Sequence, residues 1–110
     1  MLHFIRRTAL AALFAAGLAL PASAAWPEKP VKLVVPYPAG GSADLPARIY
    51  AEGLQRKFNT PFVVENRSGA AGAIGTEAVV RSAPDGYTIL VGPNAPMVLL
   101  PLIRPTNFKP

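Results

Sequence analysis

Val31-Lys-Leu-Val-Val-Pro-Tyr-Pro-Ala-Gly-Gly-Ser-Ala-Asp44 decides how this chain folds. Its apolar run, Leu33 to Val35, stops at Pro36 and Pro38, and Gly40 and Gly41 follow. Ser42 and Asp44 are both good helix N-cap residues, and an amphipathic run begins behind them. The order is strand, tight glycine loop, helix start. Such a loop leaves backbone N–H groups pointing outward with the positive end of the helix dipole behind them, an arrangement suited to an anion. Ala39-Gly-Gly-Ser42 is therefore a candidate carboxylate-binding loop. The plainer reading, a strand-to-helix turn whose glycines only satisfy backbone geometry, stands beside it, because the lysine of a phosphate-binding loop is missing. For Asp44 the reading favoured from position is the helix cap, since a carboxylate beside an anion site repels the ligand unless it holds N–H groups in place.

Downstream the same alternation repeats. A helix is expected from Asp44 to Phe58, with Ala47, Ala51, Leu54 and Phe58 on one face and Arg48, Glu52 and Arg56 on a solvated one. Asn59 closes it in the left-handed conformation. Pro61 to Glu65 reads as a second strand and Ala70 to Ser82 as a second helix. Gly72 and Gly75 fall in the early turns of that helix, where glycine costs about 1 kcal/mol against alanine, so close backbone packing or close approach of a ligand is expected there. Ala83-Pro-Asp-Gly86 is a turn, Tyr87 to Gly92 a third strand, and Pro96 to Ile103 an apolar stretch able to begin a further helix. The pattern β-α-β-α-β with short connections predicts an α/β, three-layer unit with a parallel sheet in the order 2-1-3. Ligands of such sheets sit beyond the carboxyl ends of the strands, where the loops at 37–43, 66–72 and 92–95 converge.

Composition narrows the chemistry. Met1 to Ala24 has the three parts of a secretory leader: Arg6 and Arg7, the apolar run Thr8 to Leu20, and Ala22-Ser-Ala24 after Pro21. Cleavage is expected before Ala25, which gives a domain division of 1–24 leader and 25–110 binding unit, and a periplasmic location. The leader takes two arginines with it, so the +5 of the whole chain falls to +3. No Lys/Arg cluster points to nucleic acid. The chain has no cysteine, and its one histidine, His3, lies in the leader, which excludes a disulfide framework, a Ser-His-Asp triad and the commonest zinc sites. Gly69-Ala-Ala-Gly-Ala-Ile-Gly75 is not a dinucleotide fingerprint, for it has the wrong spacing and follows the second strand. Asn94 is read either as a polar ligand contact or as a turn residue beside Pro93, and Arg67 as a solvated loop cation.

Three motifs in order, Pro36-Tyr-Pro-Ala-Gly-Gly-Ser-Ala-Asp44 with Ala47-Arg48, Val64-Glu-Asn-Arg-Ser-Gly-Ala-Ala-Gly72, and Ala83-Pro-Asp-Gly-Tyr-Thr-Ile-Leu90, resemble the Bug-type solute receptors of tripartite tricarboxylate transporters. The resemblance implies the N-terminal part of lobe 1 of a two-lobed periplasmic binding fold. It implies a small carboxylate as ligand, the transporter's membrane permease subunits as partners, no nucleic acid, no cofactor and no enzymatic activity. By the same resemblance Ala39, Gly40, Gly41 and Ser42 bind the ligand, Asp44 orders their loop, and Ala70, Ala71 and Gly72 border the cleft. Departures are Ser68 where the family usually has Pro, Pro93 in place of Thr or Ser, and Leu100 in place of Asn. The part after the leader is about one third of such a receptor. A single lobe cannot close on a ligand, so weak binding or none is expected of it. The readings of other classes are a small Rossmann-like nucleotide-binding or enzymatic domain, and a truncated product without function.

Overall fold

The computed structural model describes residues 24–92 and 95–108. The expected leader, apart from Ala24, lies outside the described residues, as do Pro93 and Asn94. The elements in chain order are β1 (Val31–Val35), α1 (Asp44–Phe58), β2 (Phe62–Asn66), a 3₁₀ turn (Ala70–Gly72), α2 (Ala73–Val80) and β3 (Thr88–Leu90). A π-helical segment (Ala95–Leu99) then runs into the short α3 (Leu100–Ile103).

The three strands form one parallel sheet in the order β2-β1-β3, as the alternation predicted. β1 lies in the middle because it is the most apolar: Val31, Leu33, Val34 and Val35 are all at most 1% exposed. Its register sets Val31 opposite Phe62 and Val35 opposite Asn66, with Leu33 opposite Ile89 on the other side. Lys32, the polar exception, is exposed and reaches Glu65 at 2.9 Å.

α1 buries the small residues of the predicted face, Ala47 and Ala51, with Leu54 and Phe58 half-buried against Val31, Leu33 and Phe62. Its opposite side carries the ion pair Arg56–Glu52 at 2.6 Å, and Asn59 ends it at φ 51°. The crossover from β2 back past β1 to β3 runs opposite to the first, so right-handedness places α2 on the other face of the sheet. There Gly75 sits so tightly that a Cβ would stand 2.8 Å from Pro36.

The second helix is shorter than its sequence pattern. Ala70, Ala71 and Gly72 have φ of 50°, 55° and 90°, and a right-handed helix cannot run through them, so α2 starts at Ala73. At the far end of the sheet, Trp26 packs edge-on to Phe58 and Phe62 and tilted on Tyr87, with centroids 5.6, 6.3 and 6.2 Å away. This aromatic base fixes the starts of β1, β2 and β3 and leaves their carboxyl ends to the loops.

Candidate site at the carboxyl ends of the strands

Three loops meet there around Tyr37. A Cβ on Gly72 would lie 3.3 Å from the Tyr37 hydroxyl and 3.0 Å from Pro96, and one on Gly92 would lie 3.1 Å from Pro36. The glycines are thus the places where one loop backbone passes directly over another.

The first loop folds on itself. Gly41 N–H donates to the Pro38 carbonyl at 3.2 Å, Asp44 N–H donates to the Gly41 carbonyl at 3.0 Å, and Gly40 takes a left-handed φ of 83°. Asp44 is not the N-cap that its position predicts. Ala43 holds that place without a side-chain cap, and Asp44 is the first helical residue. Its carboxylate turns back out of the helix. Oδ2 accepts from Gly40 N–H and from Arg48 Nε, both at 2.9 Å, and Oδ1 accepts from Asn66 Nδ2 at 2.9 Å. The same Asn66 amide donates to the Tyr37 carbonyl at 3.2 Å. Pro46 falls one position later in the helix than an Asp44 cap would give, still within the first turn, where N–H groups lack helical acceptors.

This node fixes the charge state of the loop. The Arg48 hydrogen bond first, then the Gly40 N–H and the Asn66 amide, hold the Asp44 carboxyl down at about 2, from an ordinary 3.8. A folded-state value below the unfolded one means that the stabilisation is complete above about 3.8 and is lost as pH falls through about 2. The expected result is that acid titration of the native state between these values releases the first loop, read as faster exchange of the Gly40 amide. Asp44→Asn is expected to flatten that pH dependence.

With Asp44 engaged by three donors, other groups face outward. Among the described residues, the Ser42 and Ala43 N–H groups and the Ser42 hydroxyl take no protein partner. Ser42 and Ala43 line a pocket of about 260 Å³ with Pro46, Tyr50, Val91 and Gly92, between the start of α1 and the end of β3. Neutral donors in a small, mostly apolar pocket suit one carboxylate of a small molecule.

The second loop supplies a strained wall. Gly69 (φ 129°), Ala70, Ala71 and Gly72 are four consecutive residues with positive φ, two of them alanines. Left-handed alanine costs about 1–2 kcal/mol, and such conformations cluster where a backbone must meet a ligand. Replacing Ala71 by Gly removes that cost and gives roughly half of it back through the freer unfolded chain. Ala71→Gly is therefore expected to stabilise the chain by about 0.5–1 kcal/mol, read as a higher urea midpoint at unchanged slope. Thr76, fully buried, steadies the loop from inside α2 by donating to the Gly72 carbonyl at 2.9 Å.

Of the candidate residues, the fold gathers Ala39, Gly40, Gly41, Ser42 and Asp44 in the first loop and Ala70, Ala71 and Gly72 in the second, while Asn94 lies outside the described residues. Arg67 is exposed and paired with Glu65, as a solvated loop cation should be. Lys32 and Arg67 together hold the Glu65 carboxyl below its ordinary range. Sequence reading passed over Asn66 and Tyr37. The only signal for Asn66 is its place at the carboxyl end of β2, beside the loop it ties. Among the described residues there is no group of three His, Cys, Asp or Glu able to hold a metal.

The profile of the tripartite tricarboxylate transporter family receptor matches residues 46–110. The chain belongs to that family. As a member of the tripartite tricarboxylate receptors it is 51% identical over 77 residues to protein BugT of Bordetella pertussis, an alignment covering 69% of this chain and 24% of BugT. An R. palustris protein solved with adipate is 39% identical, with a TM-score of 0.63 over 64% of this chain and 24% of that one. MatC from Rhodopseudomonas palustris, solved with bound malate, is 29% identical, with a TM-score of 0.70 over 76% of this chain and 29% of that one. Other matched structures are periplasmic and solute-binding proteins. The chain spans between about a fifth and a third of the length of the curated relatives it matches.

Proposed function

We propose that this chain is the ligand-contacting, N-terminal part of lobe 1 of a periplasmic receptor. The receptor binds a small carboxylate and delivers it to tripartite tricarboxylate-type permease subunits. Residues 1–24 serve as a cleaved leader and 25–110 as the binding unit. It is a binding protein, not an enzyme. The observation that carries the reading is the first loop, where Ser42 and Ala43, whose N–H groups take no protein partner among the described residues, line a small pocket while Asp44 ties the loop to Arg48 and Asn66. Two solved structures similar to this chain, one with adipate and one with bound malate, supply the ligand class. The apolar residues left at the surface also fit a unit built to be covered by a longer chain. Leu45 and Ile49 on α1 and Leu102 and Ile103 on α3 are each at least 60% exposed.

The test is a thermal-unfolding screen of the purified chain. Malate and adipate in the millimolar range are expected to raise the midpoint above a sodium chloride control of equal ionic strength, and nucleotides are expected to leave it unmoved. Stabilisation by nucleotides alone would favour the Rossmann-like alternative and contradict the carboxylate reading.

A further inference from the structure

We propose that Tyr50 selects among carboxylates by laying its ring against the carbon body of the ligand, so that longer methylene chains bind better, an inference that rests on the carboxylate reading above. The pocket at Ser42 and Ala43 encloses about 260 Å³, which admits only a small molecule. Its remaining walls are Pro46, Tyr50, Val91 and Gly92, and among the described residues its lining carries no charged side chain. A ligand whose carboxylate meets the Ser42 and Ala43 N–H groups therefore lays the rest of itself on uncharged surface. Pro46, Tyr50 and Val91 make most of that surface carbon. A second charge on the ligand finds no counter-charge in this lining, whereas each methylene placed there leaves water.

Tyr50 is the largest of these walls and the one least needed by the fold. α1 packs on the sheet through Ala47 and Ala51, both buried, and Tyr50 lies off that face, 60% exposed. Pro46 and Tyr50 stand four residues apart on α1, so they are neighbours on one side of the helix. Leu45 and Ile49 are as exposed as Tyr50, yet neither lines the pocket. Val91 gives a fixed wall, for it packs half-buried on the core and its N–H donates to the Val34 carbonyl at 2.8 Å. A tyrosine ring offers a large, flat contact while only two side-chain torsions are ordered, and its polar end tolerates water. It suits a ligand that is apolar in the middle and held by one charged end.

The experiment titrates the isotope-labelled chain with acetate, butyrate and hexanoate at constant ionic strength and reads affinity from the Ser42 and Gly92 amides. A methylene wholly withdrawn from water is worth about fourfold in affinity, and one left half in water about twofold. With Tyr50 itself more than half exposed, the lower figure applies. Hexanoate is therefore expected to bind the wild type about ten- to twentyfold more tightly than acetate, with intermolecular NOEs between its methylenes and the Tyr50 ring. Tyr50→Ser is expected to cut that ratio to about threefold or less. Its unfolding midpoint is expected to hold, because the side chain is exposed and the two residues have similar helix propensities. Tyr50→Phe, which keeps the ring, is expected to restore the ratio. A wild type that binds acetate and hexanoate equally overturns the proposal. So does a chain-length preference that survives in Tyr50→Ser, or hexanoate bound without contact to the Tyr50 ring. A wild type that binds none of the three contradicts the functional reading itself, and this proposal falls with it.

Discussion

Gly75→Ala destabilises the chain by about 2–3 kcal/mol, as far as a single methyl group generally can. The added Cβ would stand 2.7 Å from the Arg67 carbonyl oxygen and 2.8 Å from both Cα and Cβ of Pro36. None of these is the end of a flexible side chain. Relief requires α2 to back away from β1, and with it the 3₁₀ turn that leads into α2. The reverse sign is expected at Gly53, which lies in α1 with nothing within 4 Å of its Cβ position. There Gly53→Ala adds about 0.5–1 kcal/mol of stability by restricting the unfolded chain. Urea unfolding of the two variants checks both, as midpoint shifts in opposite directions with unchanged slope.

The other large effect is on binding. Asp44→Ala removes the acceptor shared by Gly40 N–H, Arg48 and Asn66, and leaves all three donors without it. The first loop then loses its tie to α1 and keeps only the Asn66–Tyr37 bond to β2, so Gly40 to Ala43 are no longer held in register. Carboxylate affinity is expected to fall about ten- to a hundred-fold, the scale of lost charge-assisted hydrogen bonds. Asp44→Asn is expected to fall between, since an amide oxygen accepts from one partner but its NH₂ repels the Gly40 N–H. Asp85, whose carboxylate among the described residues accepts only from Tyr87 N–H at 2.9 Å in a turn at the far end of the sheet, is the control. Asp85→Asn is expected to leave affinity unchanged. Titration of these variants with malate separates loop order from net charge, because Asp44→Asn and Asp85→Asn alter the charge equally.

Much of the fold was legible in local pattern. The run Leu33 to Val35 followed by prolines and glycines marks a buried strand entering a helix, and the alternation fixes a parallel sheet with β1 in the centre. Gly72 and Gly75 in the early turns pointed to close packing or close approach of a ligand, and the structure shows close packing against Tyr37, Pro96 and Pro36. What misled was local propensity where a distant contact decides. Asp44 sits where a cap belongs, yet its carboxylate bonds Asn66, 22 residues on, and only the β1–β2 register that sets Asn66 opposite Val35 brings the two together. Ala70 and Ala71 are good helix formers, yet they turn left-handed under the overlay of Tyr37 and Pro96 on Gly72 and the reach of Arg104 to Ala70. Arg104 itself lies in a polar, proline-broken stretch without periodicity, and nothing in that pattern links it to the second loop.

The most direct test of the central claim is an amide chemical-shift map of the isotope-labelled chain titrated with malate. Shifts are expected at Ser42, Ala43, Val91, Gly92 and the Ala70–Gly72 turn, saturating in the millimolar range and lost in Asp44→Ala. An unperturbed first loop at saturating malate, or shifts clustered at the Trp26 end of the sheet, would contradict it.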